Sequence, residues 1–316
     1  LTRAVYSLAE KGYRIVNHCH DFAEDRKENW ELLEYVIEEI FERELHEVLY
    51  PGFSNYCFCA LNTRDYNRLL QNRVPSSNVF LLPNPILFPE HRPFSYYEDI
   101  LKTLGIHNTL PLILYPVRVI RRKNIGEFIL LTAMFKEYAN WLVTLPPKNP
   151  VERSSYDSWK SFCKHNNIPV YFEVGEKVEF YELMYAADRM ITTSIMEGFG
   201  MTFLEPWTFG KGVVGRDIPE VTIDFKSSGI KFPALYDRLI LPDSKLDFGS
   251  LDDKCKKQII CNVLTDHKFK EEVLRLNNLQ LLLQPISEEL IEHNRHIIKT
   301  KYSIDEYGKR LIGIYN

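Results

Sequence analysis

No apolar run in this 316-residue chain reaches the length of a membrane-spanning helix, no Gly-x-Gly-x-x-Gly follows any candidate strand, and no Asp-x-Asp triplet occurs. The first absence excludes a helical transmembrane span. The second removes the dinucleotide fingerprint and, with it, the reading as a nicotinamide-dependent dehydrogenase. Positive charge is also short. The 39 Lys and Arg stand against 43 Asp and Glu, a net charge of −4, which gives no support for nucleic acid or a membrane surface as the main partner. Peripheral membrane contact stays open. The six cysteines, Cys19, Cys57, Cys59, Cys163, Cys255 and Cys261, are scattered without the density of a disulfide scaffold, as expected of a reduced, cytoplasmic protein. Metal ligation is not expected either. His18, Cys19, His20, Cys57 and Cys59 follow no common zinc spacing, and Cys57 and Cys59 alternate along an extended run at 56–61, so both suit one buried face. Residues 1–6 have neither an initiator Met nor a signal-peptide layout. They read as the start of an amphipathic helix, and further residues are expected upstream.

What is present is the composition of a globular protein, 45% hydrophobic and 26% charged, with length for two domains. Residues 1–11 carry helical periodicity and stop at Gly12. Strands are expected at 13–17 and 55–61, with a helix at 28–47 between them and another at 64–71 capped by Asn62 or Thr63. An extended run at 74–82 ends in the rigid turn Pro83-Asn84-Pro85. Residues 88–95, with Pro89 and Pro93, have the composition of an interdomain linker. After a helix at 96–104, strands at 112–115, 140–145, 169–174, 189–193 and 212–215 alternate with helices at 126–138, 156–165, 179–185 and 203–209. That alternation argues for the α/β class with a parallel, doubly wound sheet. From residue 251 the chain is helical in four segments, 251–264, 268–283, 287–300 and 303–314, and Ser303 and Glu306 have the capping-box spacing.

Two stretches carry chemistry. Residues 194–205 read Ser-Ile-Met-Glu-Gly-Phe-Gly-Met-Thr-Phe-Leu-Glu and lead from a strand into a helix. Gly198 and Gly200 let the backbone turn sharply and approach a ligand. The N–H groups of Gly200, Met201 and Thr202 are expected to point out of the helix N-terminus, where an anion or sugar oxygens bind. Glu197 and Glu205 flank that turn. The plain alternative is a capped helix with Glu205 complementing its dipole. The second stretch places Arg118, Arg121, Arg122 and Lys123 in a strand-to-helix corner. A charge run is ordinarily a solvated loop, but a bidentate Arg at a strand end and a flexible Lys just before a helix suit a diphosphate. His20 and Asp21 follow the strand at 13–17, at the carboxyl end where open α/β sheets bind ligands. A polar loop capping the next helix is the alternative there.

The Glu197-Gly198-Phe199-Gly200…Glu205 spacing, preceded by Arg118…Lys123, resembles the signature of the retaining GT-B glycosyltransferases, family 4 in the usual classification. The resemblance implies a GT-B fold of two Rossmann-like domains with parallel sheets facing across a cleft. Residues 1–95 would form an acceptor domain incomplete at its start, 96–300 the nucleotide-sugar donor domain, and 301–316 a helix packing back on the first domain. It implies transfer of a hexose from a UDP- or GDP-sugar to a hydroxyl acceptor, whether saccharide, lipid or small molecule. It implies retention at the anomeric carbon and neither a metal nor another cofactor; the missing Asp-x-Asp speaks against the metal-dependent GT-A alternative. By the same resemblance Arg118 and Lys123 neutralise the diphosphate, Glu205 accepts from the ribose, and Glu197 accepts from donor-sugar hydroxyls. The backbone of Gly198, Phe199, Gly200, Met201 and Thr202 holds sugar and phosphate, and backbone near Val178 packs on the base. His20 sits beside the donor sugar. His20, Glu197, Arg118 and Lys123 form the implied catalytic set. The rival is a GT-B protein that binds a nucleotide sugar without transferring it; the intact charged groups favour the enzyme.

Overall fold

The structure, a computed structural model, describes residues 2–25, 27–89, 97–242 and 244–315. The expected linker at 88–95 lies mostly outside them. The chain divides into two compact units, Leu1–Ile86 with Thr300–Asn316, and Leu87–Lys299.

The first unit opens with α1 (Thr2–Glu10) and β1 (Ile15–Cys19), followed by α2 (Lys27–Tyr35), α3 (Leu45–Leu49), β2 (Tyr56–Ala60), α4 (Thr63–Gln71) and β3 (Val79–Leu81). The strands form a parallel sheet in the order β1-β2-β3, with Ile15 opposite Tyr56 and Phe58 opposite Val79. Asn62 caps α4 by accepting the Asp65 N–H. Alternation along β2 sends Tyr56 and Phe58 to one buried cluster and Cys57 and Cys59 to another, so the two thiols do share a face. The helix expected at 28–47 is broken. It ends in a π-helical turn at Val36–Ile40, Glu42 takes a left-handed φ of 53°, and Glu44 is extended. The strand expected over 74–82 is confined to β3, because Pro75 leads into a 3-10 turn at Ser76–Asn78.

In the second unit α5 (Tyr97–Leu104) leads to β4 (Leu112–Arg118), α6 (Ile125–Phe135), β5 (Asn140–Leu145), α7 (Pro150–His165), β6 (Val170–Tyr171) and α8 (Phe180–Ala186). Then follow β7 (Arg189–Thr192), α9 (Glu205–Thr208), β8 (Gly212–Arg216), α10 (Pro219–Ser227) and β9 (Leu235–Tyr236). Three helices close the unit, α11 (Asp253–Thr265), α12 (His267–Asn277) and α13 (Glu288–Lys301). The last helix, α14 (Ile304–Tyr315), belongs to the first unit. Its Ile314 packs with Cys57, Cys59 and Leu82, and the Arg14 guanidinium donates to the Ile314 carbonyl. The capping box before α14 is half made. The Ser303 hydroxyl accepts the Glu306 N–H, while the Glu306 carboxylate pairs with Arg310.

All six strands of the second sheet are parallel, in the order β6-β5-β4-β7-β8-β9. The chain therefore winds outward from β4 in one direction and from β7 in the other. Adjacent strands that lead away in opposite directions open a crevice at their carboxyl ends, and both chemical stretches sit there. Alternate side chains of β4 and β5 pack on opposite faces. Ile113, Tyr115, Trp141 and Val143 join one core, and Leu112, Leu114 and Leu142 the other. Helix α6 is buried at every residue from Ile125 to Phe135, as an apolar helix between a sheet and further helices must be. Glu127 is the one charged residue in it.

Candidate functional site

Strand β4 ends at Arg118, and a 3-10 turn, Arg121–Lys123, brings the chain to Asn124, which is left-handed at φ 49°. On the neighbouring strand, the loop after β7 brings Glu197 against this turn. The Lys123 ammonium pairs with one Glu197 oxygen and the Arg122 guanidinium with the other, and Arg122 also donates to the Met196 carbonyl at 3.1 Å. The two corners are stitched through their main chains as well. Ile195 N–H donates to the Arg122 carbonyl at 2.9 Å. The Thr193 hydroxyl donates to the carbonyls of Lys123 at 3.1 Å and Asn124 at 3.2 Å. The Tyr115 hydroxyl donates to the Lys123 carbonyl at 2.7 Å and meets the Ser194 hydroxyl at 3.1 Å.

Lys123 is 9% exposed and Glu197 6%. Burial alone would raise the Glu197 carboxyl, but Lys123 and Arg122 outweigh it and hold the group below its ordinary range. Burial pulls the Lys123 ammonium down against the pull of Glu197. Two cations thus meet one carboxylate, a net positive charge that favours an incoming anion. Arg118 is held by a different group: its guanidinium donates to the Pro146 carbonyl at 2.7 Å, at the end of β5. Arg121 is exposed. The charge run identified the corner, but it did not distinguish Arg122 from its neighbours. Only the 3-10 turn, which brings Arg122 and Lys123 to the same carboxylate, does so.

The glycine-rich loop differs from expectation in one respect. No long helix begins at Phe203. A 3-10 turn, Met201–Phe203, is followed by the single turn of α9. The N–H groups of Phe203 and Leu204 are used inside that turn, by the carbonyls of Gly200 and Met201 at 2.9 Å each. The dipole of a four-residue helix is correspondingly small, so the loop offers little helix macrodipole to an anion. Gly200 has φ 91°, and a Cβ on it would lie 2.7 Å from Val221 and 2.9 Å from Phe203. Phe199 and Thr202 are buried, and Gly198 and Met201 half-buried; Phe199 packs on Phe225 with ring centres 5.4 Å apart. Glu205 is half-buried, and burial raises its carboxyl. Val178 is buried and its N–H already donates to the Val174 carbonyl at 3.0 Å.

His20 belongs to the first unit, exposed just after β1. Its ring lies 4.4 Å from that of His18, whose Nε2 is 2.8 Å from the Leu82 carbonyl oxygen. Burial, opposed by that hydrogen bond and aided by His20, leaves His18 below the ordinary imidazole range. A cavity of about 380 Å³ in this unit is lined by Asn17, His20, Asp21, Glu24 and Tyr50, among others. Among the described residues no three His, Cys, Asp or Glu side chains converge as metal ligands would, and no helix is long and apolar enough to cross a membrane.

Comparison with known proteins bears on the same residues. Residues 97–228 match the family model described as Glycosyl transferases group 1, a span that holds Arg118, Lys123, Val178 and the whole 194–205 loop but not His20. The chain is 29% identical over 310 residues to the mannosylglucosyl-3-phosphoglycerate synthase of Petrotoga mobilis, a match that covers 94% of this chain and 54% of that protein. It is 24% identical over 328 residues to the mannosylglucosylglycerate synthase of Thermotoga maritima, covering 95% of this chain and 69% of that one. The chain thus spans about half the length of the first of these relatives. Among solved structures, Anabaena HepE in complex with UDP is similar with a TM-score of 0.64 and 13% identity, over 100% of this chain and 76% of that one. The fold is α/β with parallel sheets, that of the GT-B glycosyltransferases, and the segment that carries the charged corner is the segment that matches glycosyl transferases group 1.

Proposed function

We propose that the chain is a glycosyltransferase that moves a hexose from a nucleotide-diphosphate sugar to a hydroxyl acceptor, with retention at the anomeric carbon and without a metal. The observation that carries this reading is the corner shared by β4 and β7, where Lys123 and Arg122 converge on Glu197 beside the glycine-rich loop. Sugar transfer leaves negative charge on the departing diphosphate. Cations fixed beforehand in a partly buried corner stabilise that charge without having to reorganise, and partial burial strengthens their effect. Lys123 and Arg118 take the diphosphate in this reading, and the same two groups supply the neutralisation that a divalent ion gives elsewhere. Glu197, kept ionised by Lys123 and Arg122, accepts from donor-sugar hydroxyls, and Glu205 from the ribose. In front-face transfer the bond from the anomeric carbon to the diphosphate oxygen breaks as the acceptor oxygen bonds on the same face. The acceptor proton passes to the departing phosphate oxygen. The names of the two curated relatives support mannose as the hexose, and a glucosylated glycerate, with or without a 3-phosphate, as the first acceptor to try.

The test is a transfer assay on the full chain with UDP- and GDP-sugars, products identified by mass and anomeric configuration by NMR, with and without EDTA. Lys123→Ala is expected to lower kcat by about 10²–10³. Glu197→Gln removes the carboxylate that now shares both cations, so free UDP or GDP binds at least as tightly while transfer is lost. Full transfer by either variant overturns the assignment of these residues, and a chain that binds the sugar nucleotide but transfers nothing to any acceptor supports the non-catalytic rival.

A further inference from the structure

We propose that Asn124, Glu127 and Lys256 are positioning residues for Lys123: a buried polar network behind the β4–α6 corner holds Asn124 left-handed and thereby aims the Lys123 ammonium. This rests on reading Lys123 as the diphosphate contact. Asn124 directly follows Lys123 and precedes α6, yet its side chain does not cap that helix. It is drawn the other way. Its Nδ2 donates to Glu127 Oε2 at 2.9 Å, and its Oδ1 accepts from Lys256 Nζ at 2.7 Å, across from α11. A left-handed conformation is uncommon outside glycine, and asparagine adopts it more readily than most residues, so what fixes it here is the surroundings: two side-chain bonds and the Thr193 hydroxyl on the Asn124 carbonyl.

The network behind Asn124 is large. Glu127, 0% exposed, accepts from Arg216 Nε at 2.8 Å and Nη2 at 2.6 Å and from the Tyr236 hydroxyl at 2.8 Å. Arg216 is shared with Asp247 at 2.7 and 3.0 Å. Side chains from α6, β8, β9, α11 and the loop before α11 thus meet behind one residue of the corner. Burying Glu127, Arg216 and Lys256, with Asp247 half-buried beside them, is expensive even when they are paired, and replacing such a network by apolar residues of the same volume is often neutral for stability. Holding one backbone conformation is a task that apolar residues perform poorly.

The probes are UDP and GDP, with affinity measured by calorimetry on the full chain and its variants. Lys256→Met is expected to weaken binding about tenfold, within the span shown by coupled neighbours, and to have no further effect once Lys123→Ala is in place. Asn124→Gly keeps the left-handed backbone accessible but cuts both anchors, so it should weaken binding to a similar degree, with a lower melting temperature because the buried Lys256 ammonium and a Glu127 oxygen each lose a partner. It carries the test if Lys256→Met fails to fold. Lys256→Arg, which can still donate to Asn124, should recover most of the loss. Equal losses from Lys256→Met in the wild-type and Lys123→Ala backgrounds, or wild-type binding by Asn124→Gly, overturn the proposal. Unchanged binding in Lys123→Ala overturns instead the donor-site reading on which it rests.

Discussion

The two acids of the glycine-rich loop are treated in opposite ways. Glu197 receives an ammonium and a guanidinium, and its carboxyl is held below the ordinary range. Glu205 is half-buried with no side-chain partner among the described residues, and burial raises its carboxyl. An acid whose folded pKa lies above its unfolded value favours the native state below the unfolded value and loses that benefit as pH rises through the folded one. Glu205→Gln is neutral at every pH. It should therefore raise the melting temperature at pH 8 and leave it unchanged at pH 4. The same change should weaken UDP or GDP about tenfold, the loss of a hydrogen bond to a charged acceptor. A melting series in pH together with calorimetry checks both halves. Stabilisation without weakened binding would remove Glu205 from the ligand site. Neither the pairing of Glu197 nor the isolation of Glu205 was legible in the residue string, because both depend on which side chain a turn from another strand delivers.

At the scale of elements, the strands that carry the site were legible. Apolar runs marked β4, β5, β7 and β8 to within a few residues, because strands buried on both faces are continuously apolar. The breaks were not. The helix expected at 268–283 ends at Asn277, where Asn278 turns left-handed at φ 49° and a 3-10 segment, Leu279–Leu283, follows. The periodicity runs on through that break, since both segments bury leucines against the same core. The glycine-rich loop shows the same effect: Phe203 and Trp207 are fully buried four residues apart, as in a helix, while the backbone leading into them is a 3-10 turn. What fixes that turn is Gly200. Gly200→Ala would force a Cβ into Val221 and Phe203 and impose a left-handed φ on alanine, at a cost of roughly 1–3 kcal/mol. Thermal unfolding should show the loss. Transfer should fall further than stability accounts for, because Glu197 and Met201 sit on either side of the strained residue. Wild-type rates in a folded Gly200→Ala protein would mean the loop does not shape the site.

For the whole molecule, alternation of strands and helices was enough to imply a doubly wound parallel sheet, but strand order was not readable, because it is set by which crossovers turn back. That order, with β4 beside β7, is what joins two motifs some seventy residues apart in the chain. The association of α14 with the first unit came from family resemblance alone, since its amphipathic pattern does not say which sheet it covers. The division into units leads to a prediction about ligand-linked stability. Every residue proposed to bind the donor lies in the second unit, and so do three of the four tryptophans, Trp141, Trp159 and Trp207, all essentially inaccessible to water. Intrinsic fluorescence therefore reports mainly the unfolding of that unit. A ligand that binds only the native state at a hundred times its Kd adds about 2.7 kcal/mol, which for a unit of this size is about 5–10 °C in Tm. UDP or GDP should raise the fluorescence-detected Tm by that amount, whichever base is preferred. Lys123→Ala should abolish most of the shift while leaving the unliganded Tm close to wild type, because Arg122 still pairs with Glu197. If both nucleotides at saturating concentration leave the transition where it was, the charged corner of the second unit does not hold a diphosphate.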